Sequence, residues 1–385
     1  MQQTAPDLIC MSHLRWDFVF QRPNHLMTRF ARDRRVFFVE EWVADSEARL
    51  RVREVEAGVR VVTPVVTADD RDPERTVRRM LNGLKVEYEI EDFLLWYFTP
   101  MALETTRHLK PRLVVYDCMD ELTGFDGAPT GLRAAEDELL ERASLVFTGG
   151  QSLYEAKKGR HANIHAFPSS VDVGHFARAR RGLVEPDEQA MMPRPRVGFF
   201  GVLDERLDRE LLRDAAALRP DWSFVLVGPT AKIAPESLPR AANLHYLGPK
   251  RYDELPSYLA GWDVTMIPFA RNDATRFISP TKTLEYMAAG KPVVSTSIAD
   301  VVCPFGERGL VRIADDAAGF VSACEELMAS DATDRLLRTD DYLSKTSWER
   351  TWQAMSERIE MALEAEGRST RARRAAGPMF GPQRE

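Results

Sequence analysis

Short runs of consecutive apolar residues recur along the chain, separated by segments in which apolar residues repeat every three or four positions. A continuous apolar run is typical of a strand buried on both faces, and the longer period is typical of a helix with one buried face. In the first half, apolar runs begin at residues 7, 36, 59, 94, 113 and 145, with helical patterns at 23–32 and 134–143. This alternation predicts a parallel sheet with helices on both faces.

A polar segment interrupts the pattern, which then starts again. Residues 178–195 contain prolines at positions 186, 193 and 195 and lack an apolar period, which is typical of a linker. Apolar runs resume at 196–202, 223–228, 243–247, 263–267 and 292–296. The fold class predicted by this repetition is α/β, with two tandem Rossmann-like, doubly wound domains.

The second half ends in one more helical pattern, at about 348–365, with Trp352, Met355, Ile359 and Leu363 on one face. We expect this helix to return to the first domain. The predicted organisation is an N-terminal domain at 1–180, a linker at 181–195, a C-terminal domain at 196–345, the returning helix at 346–366 and a basic disordered tail at 367–385.

The residues from 279 to 294 predict a loop, a helix and a strand in succession. Ser279 is a typical N-cap residue, Pro280 suits the first helical position, and Gly290 suits the left-handed position just beyond the helix. The ends of this helix are therefore well marked.

The first turn of this helix contains an unexpected charge. Lys282 places a cation at the positive end of the helix dipole, which is unfavourable unless an anion binds there. Glu285 lies one turn deeper on the same face, where a carboxylate can accept hydrogen bonds from two sugar hydroxyls. The two side chains predict a nucleotide-sugar site. The alternative is a solvated Lys–Glu pair on an ordinary amphipathic helix.

Composition excludes several classes of protein. At 385 residues the chain exceeds one ordinary core, and 44% apolar with 29% charged residues is typical of a globular protein. No apolar run approaches the roughly 18–20 residues of a membrane-spanning helix. The net charge of −7 argues against nucleic-acid binding, and four scattered cysteines predict neither a zinc site nor a disulfide framework. The N-terminus lacks a signal-peptide pattern, so we expect a cytoplasmic protein.

Three further motifs resemble a known family. Residues 168–176 (PSSVDVGHF) resemble its P-N-G-V-D-x-x-x-F segment, residues 198–206 (GFFGVLDER) its first C-domain strand and glycine turn, and residues 284–294 (LEYMAAGKPVV) the second half of its E-x₇-E signature. The family is the GT-B-fold glycosyltransferases, in particular the bacterial retaining family 4, or glycosyl transferases group 1. The resemblance implies a hexosyltransferase with a C-terminal helix that packs on the N-domain.

This resemblance assigns the donor site. It implies that Glu285 contacts the ribose and that a basic residue after the glycine turn contacts the pyrophosphate, for which Arg206 is the candidate. The donor-binding residues expected from the motifs are Gly201, Arg206, Ser279, Thr281, Lys282 and Glu285. Phe277 stands where the family has its first glutamate, so the family's contact with the donor sugar does not transfer. For Arg206, the alternative is a surface pair with Asp204, Glu205 or Asp208.

Candidates for the acceptor side follow the strands of the first domain, because ligands of doubly wound sheets bind beyond the carboxyl ends of the strands. The expected catalytic residues are Asp120, His13 and Asp117, and the expected acceptor-binding residues are Arg15, Asp17, Arg22 and Glu121. Helix capping or pairing with Arg133 would explain the carboxylates equally well, and a structural hydrogen bond would explain His13.

The expected reaction is metal-independent, retaining transfer of a sugar from a UDP- or GDP-sugar to a glycan or lipid-linked acceptor in bacterial surface polysaccharide or glycolipid synthesis. No convincing Asp-x-Asp motif follows a strand, so no metal is expected, and no cofactor either. Two alternatives are a GT-B-type sugar-nucleotide epimerase and a non-catalytic nucleotide-sugar-binding partner subunit. The basic segment 71–85 suggests peripheral contact with an anionic membrane at the inner face of the cell, although a solvated helix face explains it better.

Overall fold

A computed structural model describes residues 5–56 and 58–375 of the chain. Its strands, in chain order, are β1 (Asp7–Ser12), β2 (Val36–Glu40), β3 (Val43–Asp45), β4 (Arg49–Glu56), β5 (Val59–Thr67), β6 (Phe93–Tyr97), β7 (Leu113–Cys118), β8 (Leu145–Thr148), β9 (Ile164–Ala166), β10 (Arg196–Phe200), β11 (Ser223–Val227), β12 (Leu244–Tyr246), β13 (Val264–Ile267), β14 (Val293–Ser295) and β15 (Arg312–Ile313).

The helices alternate with these strands. In chain order they are α1 (Arg22–Phe30), α2 (Pro73–Glu87), α3 (Leu103–Thr106), α4 (Leu132–Arg142), α5 (Gln151–Lys157), α6 (Val173–Phe176), α7 (Asp187–Ala190), α8 (Arg209–Leu218), α9 (Leu255–Ala260), α10 (Thr281–Ala288), α11 (Ala299–Val301), α12 (Ala317–Ala329), α13 (Thr333–Leu343) and α14 (Trp348–Ala375). None of the helices described is long and apolar enough to cross a membrane.

Each half of the chain forms its own sheet. The first has the order β3-β5-β2-β1-β6-β7-β8-β9, and β4 pairs antiparallel with β5. The second has the order β12-β11-β10-β13-β14-β15, and its ladders are parallel. In both sheets the first strands add toward one edge. The chain then returns to the centre, and the later strands, from β6 and from β13, add toward the other edge. The predicted pair of doubly wound α/β domains is confirmed.

The first sheet is buried on both faces by alternating side chains. In β1, Leu8 and Cys10 belong to one apolar core and Ile9 and Met11 to the other. Helix α14 completes the first of these cores with Met355, Ile359 and Leu363, all of them buried. The predicted return of the last helix to the N-terminal domain is therefore confirmed.

The boundary between the two halves differs from the prediction. Val171, Phe176 and Ala179 belong to the core of the second domain, so the chain crosses over before residue 171 rather than at 180. The predicted linker is also anchored there, because buried Gln189 accepts a hydrogen bond from the Trp262 indole and donates one to the Tyr258 carbonyl. An isolated polar segment looks like a linker when its buried partners are distant in sequence.

The C-terminal end differs as well. The predicted tail begins at residue 367, but α14 continues to Ala375. The remainder of the predicted tail, residues 376–385, lies outside the described residues.

Two close backbone contacts join the domains. Asp300 of the second domain accepts hydrogen bonds from the backbone N–H groups of Gln151 and Ser152, each at 2.9 Å, at the first turn of α5. Gly124 of the first domain lies against the backbone of Asp273, where a Cβ would lie 2.7 Å from the Asp273 carbonyl oxygen. A larger residue at position 124 would push the domains apart.

Replacing Ile359 with alanine should lower the free energy of unfolding by about 2–5 kcal/mol, because the side chain is fully buried in the core beneath α14. Met361→Ala removes the same number of side-chain atoms from the same helix at a position that is 59% exposed, and should change it by less than about 0.5 kcal/mol. Denaturant titration followed by circular dichroism measures both variants. Equal losses would show that α14 does not dock as described.

Candidate functional site

The carboxyl ends of the central strands open on a cleft between the domains. In the second sheet the strand order reverses between β10 and β13, and in the first between β1 and β6. Side chains beyond such reversal points have no strand above them, so they can surround a ligand. The loops after β1, β7 and β10 carry most of the predicted site residues.

Two neighbouring cavities fill the cleft. The C-domain cavity, about 400 Å³, is lined chiefly by residues 16–21, 200–202, 227–229 and 249–252, together with Arg206, Leu255, Thr281, Lys282 and Glu285. The N-domain cavity, about 440 Å³, is lined chiefly by residues 13–15 and 125–129, together with Asp120, Asp204, Arg206, Ala231 and Lys232. Phe18, Gln21, Val202 and Arg206 line both, so the cavities adjoin at these residues.

Lys282 lies in the first turn of α10, at the wall of the C-domain cavity. Its ammonium is 5.5 Å from the ring centroids of both Phe199 and Phe269. Burial, together with the positive charge of Arg206, lowers the pKa of Lys282 to about 8. The cation is thus poorly hydrated, which strengthens its attraction for an anion.

Gly201 makes room for this lysine. Its φ of 143° is a backbone conformation that L side chains rarely adopt, and a Cβ here would overlap Cε of Lys282. The glycine therefore brings the chain close to the lysine at the carboxyl end of β10.

Glu285 lies one turn further into α10 and lines the same cavity. Burial raises the pKa of its carboxyl to about 7, although the charge of Lys282 opposes this shift. A buried carboxylate on the cavity wall is suited to accept hydrogen bonds from ligand hydroxyls, because these replace the water that burial removes.

Arg206 lies where the two cavities adjoin. Its Nε donates to both carboxylate oxygens of Asp204, at 2.9 and 3.1 Å. The pairing weighed as the alternative for Arg206 is thus present, and it holds the guanidinium at the wall of both cavities. A held cation at this junction can contact an anion without losing side-chain entropy.

Asp120 and His13 line the N-domain cavity. Burial raises the pKa of Asp120, whereas the nearby Arg206 and Arg22 lower it. Burial and the charge of Lys232 lower the pKa of His13 to about 4, so its imidazole is neutral at pH 7. Nδ1 of His13 is buried without a hydrogen-bond partner among the described residues.

Asp117 and Arg22 are turned away from the cavities. They form a buried two-pronged ion pair, with Nε to Oδ2 at 3.0 Å and Nη2 to Oδ1 at 2.8 Å, and their side chains are 0% and 3% exposed. Neither side chain lines a cleft cavity, so the geometry does not support a catalytic role for Asp117 or an acceptor contact for Arg22.

Glu121 and Ser279 are also displaced from the predicted site. Glu121 pairs with Lys157 at 2.7 Å and lines a separate cavity at the outer edge of the domain junction. Ser279 lies against Gly150 of the first domain and does not line either cleft cavity. Since α10 begins at Thr281 with Pro280 as its N-cap residue, Ser279 is not the cap that the sequence predicts.

The remaining predicted residues do reach the cleft. Arg15 lines the N-domain cavity, donating to Glu40 at 3.1 Å and to the Glu41 carbonyl at 2.7 Å. Asp17 and Thr281 line the C-domain cavity.

Phe277, which stands in place of the family's first glutamate, lines neither cavity. It packs against the core of the first domain and lines the same outer cavity as Glu121. The position that would supply a sugar-contacting carboxylate thus serves the domain interface.

The sequence analysis missed several cleft residues. Lys232 follows β11, Lys250 and Tyr252 follow β12, and Phe125 lies in the loop after β7. The positional signal was available for all four, since residues beyond parallel strands converge at one edge of a sheet. Phe125 was missed because the analysis of its loop considered only the carboxylates that precede it.

Comparison with known proteins bears on this site. A family model described as "Glycosyl transferases group 1" matches residues 194–330, which include β10, α10 and most of the C-domain cavity. A Bacillus subtilis (strain 168) protein named "Putative teichuronic acid biosynthesis glycosyltransferase TuaH" is 26% identical over 277 residues, covering 64% of this chain and 68% of that protein.

Solved structures share the fold. Sucrose-phosphate synthase from Thermosynechococcus elongatus superposes with a TM-score of 0.72 at 14% identity, covering 94% of this chain and all of that one. Anabaena Alr3699/HepE, in complex with UDP and glucose, has a TM-score of 0.63 at 15% identity, covering 92% of this chain and 99% of that one. At these identities the likeness concerns the fold alone.

The pKa of Lys282 predicts a pH-dependent affinity for anions. The lysine is charged below about pH 8 and neutral above it, so affinity for inorganic pyrophosphate should fall as the pH rises from 7 to 9. Lys282→Arg keeps its charge throughout this range and should remove that loss. Calorimetric titration of both proteins gives the comparison, and parallel pH profiles would exclude Lys282 as the titrating group.

Proposed function

We propose that this chain is a GT-B-fold glycosyltransferase related to glycosyl transferases group 1, and that it transfers a sugar from a UDP- or GDP-sugar to a glycan or lipid-linked acceptor, without a metal and with retention of configuration. The observation that carries this proposal is the convergence of Lys282, Glu285 and Arg206 on one cavity that adjoins a second.

The C-domain cavity suits a nucleoside-diphosphate sugar. Lys282 and Arg206 would bind the diphosphate, and Glu285 would accept hydrogen bonds from the ribose hydroxyls. Two cations can neutralise the negative charge that develops on the leaving diphosphate, which is the task that a metal performs in other transferases. Among the described residues no group of three or more His, Cys, Asp or Glu side chains is placed to hold a metal ion.

The N-domain cavity would bind the acceptor. A diphosphate held by Arg206 would lie where the two cavities adjoin, beside the acceptor hydroxyl. As the sugar–phosphate bond breaks, the departing phosphate oxygen can take the proton of the attacking hydroxyl on the same face of the sugar. His13, which is neutral at pH 7, and the Asp120 carboxylate would then orient the acceptor, and neither would have to act as a strong base.

The biological setting we propose is bacterial surface polysaccharide or glycolipid synthesis, supported by the name of the Bacillus relative. We place the protein in the cytoplasm, with peripheral contact at the inner face of the membrane. In α2 the apolar residues Val77, Leu81 and Leu84 are buried in the protein core. Only the basic face of this helix could meet anionic lipid, so the contact would be electrostatic.

The alternatives raised by the sequence are not proposed. An epimerase and a non-catalytic subunit would share the donor cavity, but both the family model and the Bacillus relative are named for glycosyl transfer.

Glu285→Gln should weaken UDP binding by about tenfold, because the amide loses charge-assisted hydrogen bonds worth roughly 1.5–3 kcal/mol. Binding of 2′-deoxy-UDP should fall less, since one of the two hydroxyls is already missing. Calorimetry with and without EDTA measures both ligands, and metal independence requires equal affinities in the two buffers. Equal losses for the two nucleotides would make Glu285 a structural residue.

Lys282→Ala should lower kcat by about 10²–10³, the usual cost of removing a preorganised charge partner of the transition state. Asp120→Asn and His13→Ala should lower it less, since the leaving phosphate takes the proton. NMR of the product should show that the anomeric configuration of the donor is retained. An inverted product would refute the mechanism, and complete loss in Asp120→Asn with intact donor binding would make that carboxylate the catalytic base or nucleophile.

A further inference from the structure

Lys232 has an unusual backbone conformation beside the cleft. It lies in the loop after β11 with a φ of 61°, and within residues 5–56 and 58–375 Glu89 is the other non-glycine residue with positive φ. L-residues with long side chains avoid this region because Cβ approaches the backbone too closely. Such a conformation persists where the surroundings hold it, and it is often found at functional sites.

Two neighbours hold the Lys232 side chain across the domain boundary. Its ammonium lies 4.4 Å from the ring centroid of Phe125, which belongs to the first domain. It also lies 3.7 Å from Oε1 of Glu205, a buried carboxylate whose two oxygens have no hydrogen-bond partner among the described residues. A separation of 3.7 Å is an ion pair but not a hydrogen bond, so the N–H groups of the ammonium can still bind a ligand.

The other cations on the wall of the N-domain cavity are already engaged. Arg206 donates to both oxygens of Asp204, and Arg15 donates to Glu40 and to the Glu41 carbonyl. Lys232 is therefore the cation of this described lining with the most hydrogen-bonding capacity left, and its side chain is 55% exposed.

We propose that Lys232 is a specificity-determining residue that binds an anionic group, a carboxylate or a phosphate, on the acceptor sugar. This inference rests on the proposed function, because it takes the N-domain cavity as the acceptor site. Phe125 lines the same cavity beside the ammonium, so a sugar can contact this side chain while its anionic substituent meets Lys232. The Asp120 carboxylate lines the same cavity and repels that substituent. Attraction to Lys232 and repulsion from Asp120 together set the orientation of the bound sugar.

The test uses three simple probes: glucose, glucuronate and glucose 6-phosphate. Each is titrated by ligand-observed NMR into the full-length protein saturated with UDP. At least one anionic probe should bind about tenfold more tightly than glucose, as expected for a charge-assisted hydrogen bond. The probe with the larger gain identifies the group as carboxylate or phosphate.

Lys232→Asn removes the charge and leaves a residue that tolerates the left-handed backbone, so it should fold and bind all three probes alike. Lys158→Asn removes an exposed lysine paired with Glu155 and should keep the preference. Glu89→Asn relieves the same kind of backbone strain elsewhere and serves as the stability control. The inference is overturned if the unmodified protein shows no preference for either anion, or if Lys232→Asn retains it.

A separate measurement tests the proposed function. It is the titration of the protein with UDP, which is performed before the sugar probes are added. If UDP does not bind, the donor assignment fails, and the probes are titrated without it. A preference that disappears in Lys232→Asn would then still support an anion site at Lys232, and a preference that remains would overturn it.

Discussion

Desolvation of two opposite charges on one face of a helix determines which chemical groups the cleft can bind. Lys282 and Glu285 lie one turn apart in α10, and burial drives the pKa of the lysine down to about 8 and that of the glutamate up to about 7. Each charge partly offsets the cost of the other, so at pH 7 the lysine is mainly charged and the glutamate lies close to its midpoint. A helix N-terminus with its free N–H groups adds positive potential at the same place. The resulting site favours an anion next to the lysine and hydroxyl groups next to the glutamate.

The surrounding architecture keeps this pair buried yet accessible. The reversal of strand order beside β10 leaves the site uncovered, and Gly201 provides the space that the lysine side chain occupies. Arg206, held by Asp204, brings a second cation to the point where the C-domain and N-domain cavities adjoin. Helix α10 thus places Lys282 and Glu285, Asp204 holds Arg206 in the loop after β10, and the loops after β1, β11 and β12 add further residues to the lining.

Much of this arrangement could be predicted from the sequence, because continuous apolar runs and capped helices depend on neighbouring residues. The errors arose where a side chain is matched by a partner far along the chain. The apolar run of β7 stops at Tyr116, yet the strand continues to Cys118, since Arg22, 95 positions earlier, neutralises Asp117 inside the core. Asp120, beyond the true end of the strand, lines the N-domain cavity, whereas Asp117 does not. Strand β4 was missed because the prediction relied on continuous apolar runs. In β4 arginines alternate with apolar residues, which is the pattern of an edge strand with one solvent-facing side.

The hydrogen bonds from the first turn of α5 to Asp300 have a consequence for how such enzymes diversify. The acceptor of these bonds is a side chain of the second domain, whereas the donors are main-chain N–H groups that any helix presents at its start. The donor groups of these hydrogen bonds therefore do not depend on the side chains of the first domain. A second domain that carries Asp300 could be recombined with a foreign partner domain and still dock, provided that a helix begins at the same place. Chimeric transferases that combine the donor preference of one parent with the acceptor preference of another would inherit this connection without redesign.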